Sequence, residues 1–227
     1  FLYDKVLVIS SKLEEFYKVR NVDSFILPTI SCNEMIGHDR KVGKKDTAGI
    51  NLLYVGYPFS DNSTDVSQFK DRIDLMVRAV SSTELVNIKL KIVGITAQQY
   101  LNKVPDHEDL VKNVNIEFVG NCSRDRVQKH YMEADYFFLV RDKTESNDFG
   151  FPTKVVEALS HGVKIITTRT SDLDKYLTDT ECIFVGHHAE DIINRLSDIE
   201  KNYDKFEVPL CFQSRCYTTS LAEYINK

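Results

Sequence analysis

The sequence lacks any apolar run close to the roughly 20 residues that a membrane-spanning helix requires. Its first residues, Phe1 to Lys5, also lack the basic region and long apolar core of a signal peptide. Of the 227 residues, 42% are hydrophobic and 28% are charged, which is typical of a globular protein and excludes a disordered chain. We therefore expect a soluble protein with one sizeable core or two small ones.

Cysteine is sparse and shows no pairing pattern. The five cysteines are scattered, without a C-x-x-C pair, at Cys32, Cys122, Cys182, Cys211 and Cys216. An odd number without metal-ligand spacing argues against a disulfide framework and against a zinc site. This usage fits a reducing, cytoplasmic setting.

Long basic runs are also missing, since none exceeds a pair such as Lys44-Lys45. The formal net charge is -5 and the sequence pI is about 5.7, so the broad positive surface of a duplex-binding protein is not expected. Nucleic acid is therefore not an expected partner. A single cleft can still be basic enough to hold a small anion, because net charge says little about one pocket.

Short apolar segments alternate with helical patterns along most of the chain. The predicted strands are Val6 to Ile9, Ile50 to Val55, Ile88 to Val93, Ile116 to Val119, Tyr136 to Val140, Val163 to Thr167 and Cys182 to Val185. The predicted helices are Phe69 to Val80, Arg124 to Glu133, Thr153 to Ser160 and Ala189 to Ile199. The alternation predicts an α/β fold with a doubly wound, Rossmann-like parallel sheet and helices on both faces, from about Gly49 to about Tyr203.

The first 48 residues follow a different pattern. Capping-box spacing in Ser11-Lys12-Leu13-Glu14 predicts a helix through Tyr17, whereas Cys32 to Thr47 is polar and linker-like. One strand and one helix ahead of a linker are too small to form a domain. We interpret them as the end of a preceding domain or as an extra unit on the main sheet.

Three of the predicted strands end in glycine, at Gly56, Gly94 and Gly120. In a doubly wound sheet the carboxyl ends of the strands border the ligand crevice, and glycine lets the backbone approach a ligand closely or take a positive φ. Each glycine on its own is more simply explained as a tight turn that leaves its strand. Together they favour a crevice at this edge.

The segment from Arg141 to Gly162 is the most informative part of the sequence. A polar loop containing Gly150 and Pro152 follows an apolar strand, and a short helix is predicted to begin at Thr153. The first backbone N–H groups of a helix have no partner within it and attract phosphate. This segment therefore predicts an anion site.

Three side chains near that helix start extend the prediction to a nucleotide sugar. Glu157 could accept hydrogen bonds from the two hydroxyls of a ribose, while Lys154 and Arg141 could neutralise a diphosphate. The alternatives are that Glu157 is a solvated helix residue and that Arg141 pairs structurally with Asp142 or Glu145.

An ordered motif combines these residues with others. It consists of Arg141, Asn147, Gly150-Phe151-Pro152-Thr153-Lys154, Glu157, Gly162, Thr168 and Ser171-Asp172. Weaker elements are Gly56 before Lys70-Asp71, Val93-Gly94, Phe118-Val119-Gly120 and Ala134-Asp135. With this motif, the chain from Asp4 to about Glu190 resembles the carboxy-terminal half of a retaining GT-B glycosyltransferase of family four, a group with many capsule and lipopolysaccharide enzymes.

The resemblance implies roles by position. Glu157 would hold the ribose, and the backbone of Phe151, Pro152, Thr153, Lys154 and Val155, after Gly150, would meet the diphosphate and the donor sugar. Arg141, Lys70 and Asn147 would serve the reaction, although Lys70 could also be a solvated helix lysine. Gly56 would border the site, and Gly120 and Asn121 would meet the base. The donor would be of the UDP or GDP type, with no cofactor or metal, because basic side chains and helix starts stabilise the leaving diphosphate.

Two positions depart from the common pattern of this family. The first of its two glutamates would fall at Phe149, which cannot hydrogen-bond a sugar hydroxyl. Asn147, Asp148 or Glu145 could replace it, and Asn147 matches the motif. A common arginine is replaced by Tyr57, so Arg141 could supply the missing charge.

The resemblance also predicts how the chain is divided. Residues 1–48 would be the remnant of an acceptor domain and its linker, 49–211 the donor-binding domain, and 212–227 a terminal helix that packs back on the missing domain. The expected parent enzyme transfers a hexose with retention to a glycan or lipid-linked acceptor, peripheral to the inner face of the membrane, and the fragment alone would be inactive. The alternatives are a non-catalytic subunit of a split transferase and an epimerase or hydrolase of the same architecture.

Overall fold

The structure, a computed structural model, describes residues 4–31, 49–59, 65–82, 85, 87–199 and 207–226. The predicted linker from Cys32 to Thr47 lies outside these ranges, as does the expected end of the main domain near Tyr203. Within them, no helix is both long enough and apolar enough to cross a membrane.

A small parallel unit opens the chain. It consists of β1 (Lys5–Val8), α1 (Ser11–Lys18) and β2 (Asp23–Ile26), with the two strands paired in parallel. The predicted capping box is wrong by one residue, because Ser10 rather than Ser11 is the N-cap and accepts a hydrogen bond from the backbone N–H of Leu13. We call residues 4–31 the leading unit.

A six-stranded parallel sheet forms the main body of the fold. Its strands are β3 (Ile50–Val55), β4 (Ile88–Val93), β5 (Ile116–Gly120), β6 (Tyr136–Leu139), β7 (Lys164–Thr168) and β8 (Cys182–Val185). The strand order is β5-β4-β3-β6-β7-β8, and every paired neighbour is parallel. The predicted doubly wound sheet is thus confirmed. Its order reverses between β3 and β6, and such a switch point opens a crevice at the carboxyl ends of the strands.

Helices flank this sheet. They are α2 (Ile73–Val80), α3 (Ala97–Leu101), α4 (Arg124–Glu133), α5 (Glu145–Phe149), α6 (Thr153–Ser160), α7 (Leu173–Tyr176) and α8 (Ala189–Ser197). Helix α2 packs against α8, α4 contacts β3, and α6 contacts β7. The central strands are covered on both faces, since the consecutive residues Leu52, Leu53 and Tyr54 are at most 1% exposed.

Two predicted helices are longer than the observed ones, and three short helices, α3, α5 and α7, were missed. The helix predicted from Phe69 begins at Ile73 because Phe69 packs on Phe59 and the backbone N–H of Arg72 bonds the carbonyl of Val140. The last predicted helix ends at Ser197 rather than Ile199. The polar loop after Arg141 contains α5, which Thr144 caps by accepting from the backbone N–H of Asn147.

The chain ends in α9 (Thr218–Asn226), which lies against the leading unit. The hydroxyl of Tyr224 donates to the carbonyl of Asp23 at 2.9 Å, and its ring packs on Phe25 with 5.3 Å between centroids. The Lys5 ammonium donates to the carbonyl of Tyr224 at 2.8 Å. The first and last elements of the chain therefore form one packed end of the molecule.

Candidate functional site

The carboxyl ends of β3, β4 and β5 meet through glycine backbone. Gly56, Gly94 and Gly120 all have positive φ, and a Cβ atom on Gly94 would lie 2.5 Å from the carbonyl oxygen of Gly56. The predicted glycine-rich edge is confirmed. Glycine is required at position 94 because a side chain there would collide with the backbone at the end of the neighbouring strand. The alternative of a local backbone constraint thus accounts for this glycine without a ligand.

The start of α6 lies at the same edge, next to β6. The helix begins at Thr153 as predicted, and its N-cap, Pro152, makes no side-chain capping bond. A helix of this kind leaves backbone donors in its first turn for another acceptor and carries the positive end of its dipole there. The side chains of Phe151 and Val155 are buried, and Phe151 packs on Phe212. The backbone N–H of Val155 donates to the carbonyl of Pro152 at 2.9 Å, so the open donors of the first turn are those of Thr153 and Lys154.

A buried carboxylate connects the basic side chains of the site. Asp71 has no exposed surface; its Oδ1 accepts from Arg141 Nε at 2.7 Å, and its Oδ2 accepts from Lys154 Nζ at 3.1 Å. The hydroxyl of Tyr54 donates to the same Oδ2 at 2.8 Å. We call Tyr54, Asp71, Arg141 and Lys154 the buried network. It joins β3, the segment just before α2, the segment just after β6 and the first turn of α6.

Charge and burial compete within this network. Burial raises the pKa of Asp71, but Arg141 and Lys154 outweigh burial and leave this pKa below its ordinary value. Burial lowers the pKa of Lys154, Asp71 raises it, and the nearby Arg141 and Lys70 lower it further, so the net shift is downward. Burial and the Asp71 carboxylate raise the pKa of the Tyr54 hydroxyl, which therefore stays a donor. Two cations share one carboxylate, and Lys70 adds a third positive charge near Lys154, an excess of positive charge suited to an anion.

Arg141 pairs with neither of the two carboxylates considered from the sequence, Asp142 and Glu145. Asp142 pairs with Arg72 at 2.6 Å, and Arg141 pairs with Asp71. Arg141 is 4% exposed, and within the ranges described its Nη1 and Nη2 atoms make no hydrogen bond. Thr168, a motif residue, fixes the arginine backbone by donating to its carbonyl at 2.7 Å and accepting from its N–H at 2.9 Å. A buried guanidinium with donors to spare is a group that binds phosphate well.

Gly56 makes room for the lysine of the network. A Cβ atom at this position would lie 2.0 Å from Lys154 Nζ and 3.2 Å from the Tyr54 hydroxyl oxygen. The φ of Gly56 is +149°, which other residues rarely adopt. The predicted border residue therefore acts on the site through the lysine that passes over it.

Glu157 lies one turn along α6 and is exposed. Its Oε2 accepts from the hydroxyl of Tyr131 on α4 at 3.3 Å. The Tyr131 ring is buried and stacks on His161, with 4.8 Å between centroids, and His161 Nδ1 lies 2.8 Å from the Glu157 carbonyl oxygen. The carboxylate thus has a fixed partner on the helix that follows Gly120, the predicted base position.

The three candidates for the missing glutamate point in different directions. Asn147 is buried, and its amide donates to the carbonyl of Asp142 at 2.9 Å. Asp148 Oδ1 accepts from the backbone N–H of Ser171, whose hydroxyl donates to the carbonyl of Gly150. Glu145 is exposed in the first turn of α5. The structure thus brings Asn147 into the segment from Arg141 to Pro152, which we call the motif loop, as a support of its backbone.

The remaining predicted residues are exposed at the edge of the site. Lys70 directly precedes Asp71, and its backbone N–H bonds the carbonyl of Pro58 at 3.0 Å. Asn121 is exposed beyond β5, next to Gly120, which has a φ of +74°. These positions are accessible to a ligand at the crevice.

Sequence reasoning missed Tyr54, Asp71 and Tyr131 as members of the site. Asp71 was visible only as the second residue of the Lys70-Asp71 pair, and its partners are 70 and 83 residues away in the chain. Tyr131 lies in the middle of a helix that carries no motif residue. The signal that could have suggested Asp71 is the charge balance, since buried cations need a carboxylate.

Two cavities bordered by described residues lie away from this network. One, of about 420 Å³, opens beside β4 and β5 near Lys91 and His130. The other, of about 670 Å³, lies between α1 and α5 and is bordered by Glu145 and Asp148. The second cavity adjoins the motif loop from the side of the leading unit.

Solved structures that resemble this fold include glycosyltransferases. The chain is 18% identical to the apo form of the lipopolysaccharide outer core galactosyltransferase WaaB, with a TM-score of 0.70 over 98% of this chain and 62% of that one. Sucrose-phosphate synthase from Thermosynechococcus elongatus gives 16% identity and a TM-score of 0.64 over 98% and 58%. Anabaena HepE in complex with UDP and glucose gives 9% identity and a TM-score of 0.58 over 99% and 63%. No relative was found among the curated proteins.

The six parallel strands, their flanking helices and these neighbours define an α/β domain of the GT-B glycosyltransferase type. Residues 66–209, more than half of the chain, match the family of glycosyl transferases group 1, and the chain belongs to this family. It spans about 60% of the length of the structures named above.

Proposed function

We propose that this chain is the donor-binding half of a retaining glycosyltransferase that binds a nucleotide-diphosphate sugar of the UDP or GDP type. The observation that carries the proposal is the juxtaposition of the open start of α6 with Lys154 and the spare donors of Arg141. A diphosphate at this point would meet backbone N–H groups, a helix dipole and fixed cations together. The UDP and glucose bound to the similar HepE fold support a donor of this class.

The remaining contacts of the donor follow the crevice outwards. Glu157 would accept the ribose hydroxyls while Tyr131 holds its carboxylate, and the backbone at Gly120 and Asn121 would meet the base. Lys70 would contact phosphate from the solvent side. The donor sugar would lie towards the α5 end of the motif, near Asn147.

The same groups would serve the chemical step. As the glycosidic bond to the diphosphate breaks, negative charge accumulates on the leaving phosphate, and donors already in place stabilise it without further rearrangement. With cations supplied by Arg141, Lys154 and Lys70, we expect no requirement for a metal. Retention requires the acceptor to approach from the face that the diphosphate leaves, and we infer that a further domain carries the glycan or lipid-linked acceptor.

Calorimetric titration of the 227-residue chain with UDP, GDP, ADP and CMP and their common sugar conjugates tests the proposal. One nucleoside diphosphate should bind selectively without added metal. Replacing Glu157 by Ala should weaken it about tenfold or more, because hydrogen bonds to a charged acceptor contribute about 1.5–3 kcal/mol. Glu190→Ala, an exposed change in the first turn of α8, is the control and should bind as the unmodified chain does. Equal binding of all nucleotides, or no effect at Glu157, would contradict the assignment.

A further inference from the structure

Asp71 lies at the centre of the buried network, yet the donor assignment gives it no role. It is fully buried and accepts hydrogen bonds from Tyr54, Arg141 and Lys154. We propose that Asp71 is a positioning residue of the donor site, which holds Lys154 and Arg141 as oriented cations for the diphosphate. This inference rests on the proposed function and concerns how the cations of that site are kept charged and oriented.

The geometry divides the carboxylate between the two cations. Arg141 donates to Oδ1 through Nε alone. The two terminal nitrogens of the guanidinium therefore have no hydrogen-bond partner in the part of the chain described. Oδ2 is shared by Tyr54 and Lys154. Lys154 is 25% exposed on its side chain, so it can turn towards an anion while Asp71, which has no exposure, stays in place.

The charges around Lys154 explain why the carboxylate is needed. Lys154 lies in the first turn of α6. The Tyr54 ring faces it from β3, and Arg141 faces it from the segment after β6. Asp71 and Lys70 face it from the segment before α2. Burial, Arg141 and Lys70 lower the lysine pKa, and Asp71 is the group that raises it. The positive end of α6 also disfavours an ammonium. Without Asp71, burial and the two neighbouring cations would lower the lysine pKa further, and no carboxylate would oppose them.

Replacing Asp71 by Asn tests this role through a pH profile. An amide of the same shape can still accept from Arg141 and can donate to the Tyr54 oxygen, so we expect the variant to fold. Lys154 should then lose its proton at a lower pH. As the pH is raised, the affinity for the preferred nucleoside diphosphate should fall about tenfold in the variant at a pH where the unmodified chain still binds.

Two further variants separate positioning from general stability. Asp74→Asn removes another buried carboxylate, the partner of Arg72 at 2.8 Å, and should leave the pH profile as it is. Asp71→Glu keeps the charge with altered geometry and should lower the affinity while it keeps the profile of the unmodified chain. This variant carries the test if Asp71→Asn does not fold.

The outcomes are distinct. If the unmodified chain binds and Asp71→Asn shows the same affinity and the same pH profile, Asp71 has no positioning role and the donor assignment stands. A profile that moves in Asp71→Glu as well would also overturn the charge role. Absence of binding by the unmodified chain would overturn the proposed function, and with it this inference.

Discussion

Gly56 and Lys154 show how one missing side chain shapes the site. Because a Cβ at position 56 would overlap Lys154 Nζ at 2.0 Å, any larger residue displaces the lysine from Asp71. Sequence reasoning placed Gly56 at the crevice as a point of close ligand approach. The structure gives it a second function, which depends on a residue far along the chain.

Gly56→Ala should therefore weaken nucleoside diphosphate binding about tenfold by moving Lys154, in addition to a strain of about 1–3 kcal/mol from its φ of +149°. A double-mutant cycle with Lys154→Ala, measured by calorimetry, isolates the part that acts through the lysine. In the Lys154→Ala background the glycine substitution should cost little further affinity. Additive losses would show that Gly56 acts independently of Lys154.

Tyr131 provides a second test at the level of single residues. Its hydroxyl is the donor to Glu157, and removing it by Tyr131→Phe should cost about 0.5–1.5 kcal/mol of ribose recognition, a factor of roughly two to ten. The loss should be seen with the ribonucleoside diphosphate and be smaller with its 2′-deoxy analogue, because the effect acts through the hydroxyls. Equal losses with both nucleotides would argue for a general packing effect of the buried ring.

The residues that could be predicted share one segment. Arg141, Lys154 and Glu157 lie within a continuous motif, so local spacing was enough to group them. The buried network also includes Asp71 and Tyr54, which come from another part of the chain, and no periodicity links them to the motif. The roles of Arg141, Lys154 and Glu157 as site residues remain predictions. What the structure adds is the geometry that joins Arg141 and Lys154 to Asp71.

At the level of elements, the motif loop is fixed to the leading unit. Asp172 Oδ2 accepts from the backbone N–H of Ser11 at 2.6 Å and from its hydroxyl at 3.0 Å, and Oδ1 pairs with Lys175 at 2.8 Å. The Ser10 hydroxyl donates to the carbonyl of Phe149 at 2.8 Å. The start of α1 thus holds the end of α5 and the start of α7 together.

Asp172→Asn should loosen this junction by about 1–3 kcal/mol, because it weakens hydrogen bonds to a buried acceptor. Hydrogen exchange should accelerate in α1 and α5, and remain unchanged in the six-stranded sheet. Asp174→Asn, an exposed change on the same short helix, is the control. Acceleration throughout the sheet would mean that the junction supports the whole fold.

The same carboxylate predicts a pH dependence. Burial raises the pKa of Asp172, but the Lys175 ammonium and the two donors of Ser11 outweigh burial, so the pKa lies below its ordinary value. Its contribution is therefore complete above the unfolded pKa of about 4 and is lost as the pH falls through the lower folded pKa. The difference in free energy of unfolding between the unmodified chain and Asp172→Asn, measured in urea, should be full at pH 6 and shrink below pH 4. A constant difference would contradict the electrostatic origin.

Element types could be predicted better than element ends. Apolar runs between helical patterns were sufficient to predict the parallel sheet, because strands covered on both faces are apolar throughout. The start of α2 could not be predicted, because Phe69 is apolar in the right register but its segment hydrogen-bonds to Pro58 and Val140 instead of forming a turn. Helix α5 was missed because Thr144 caps it within a polar segment that reads as a loop.

At the scale of the whole molecule, the two chain ends depend on each other. Tyr224 on α9 bonds the carbonyls of Val6 and Asp23 on adjacent strands of the leading unit. Tyr224→Phe keeps the ring and should reduce the stability of the leading unit by about 1 kcal/mol, seen as faster hydrogen exchange in β1 and β2. Tyr217→Phe, whose hydroxyl bonds the carbonyl of Cys211, is the control and should leave β1 and β2 unaffected. Unchanged exchange in Tyr224→Phe would show that other contacts hold α9 in place.

The packing of α9 on the leading unit also bears on the predicted division of the chain. We expected residues 212–227 to pack back on a domain represented by residues 1–48, and the described parts of both are in contact. The boundaries themselves stay predictions. The sequence pattern could not supply this contact, since it joins residues about as far apart as the chain allows.

The structure of the chain with its preferred nucleoside diphosphate bound would test the donor-site assignment most directly. We expect the phosphates at the start of α6, within hydrogen-bond distance of Lys154 Nζ and of a terminal nitrogen of Arg141, and the ribose hydroxyls on Glu157. A nucleotide bound elsewhere, for example in the cavity between α1 and α5, with the buried network unchanged, would contradict it.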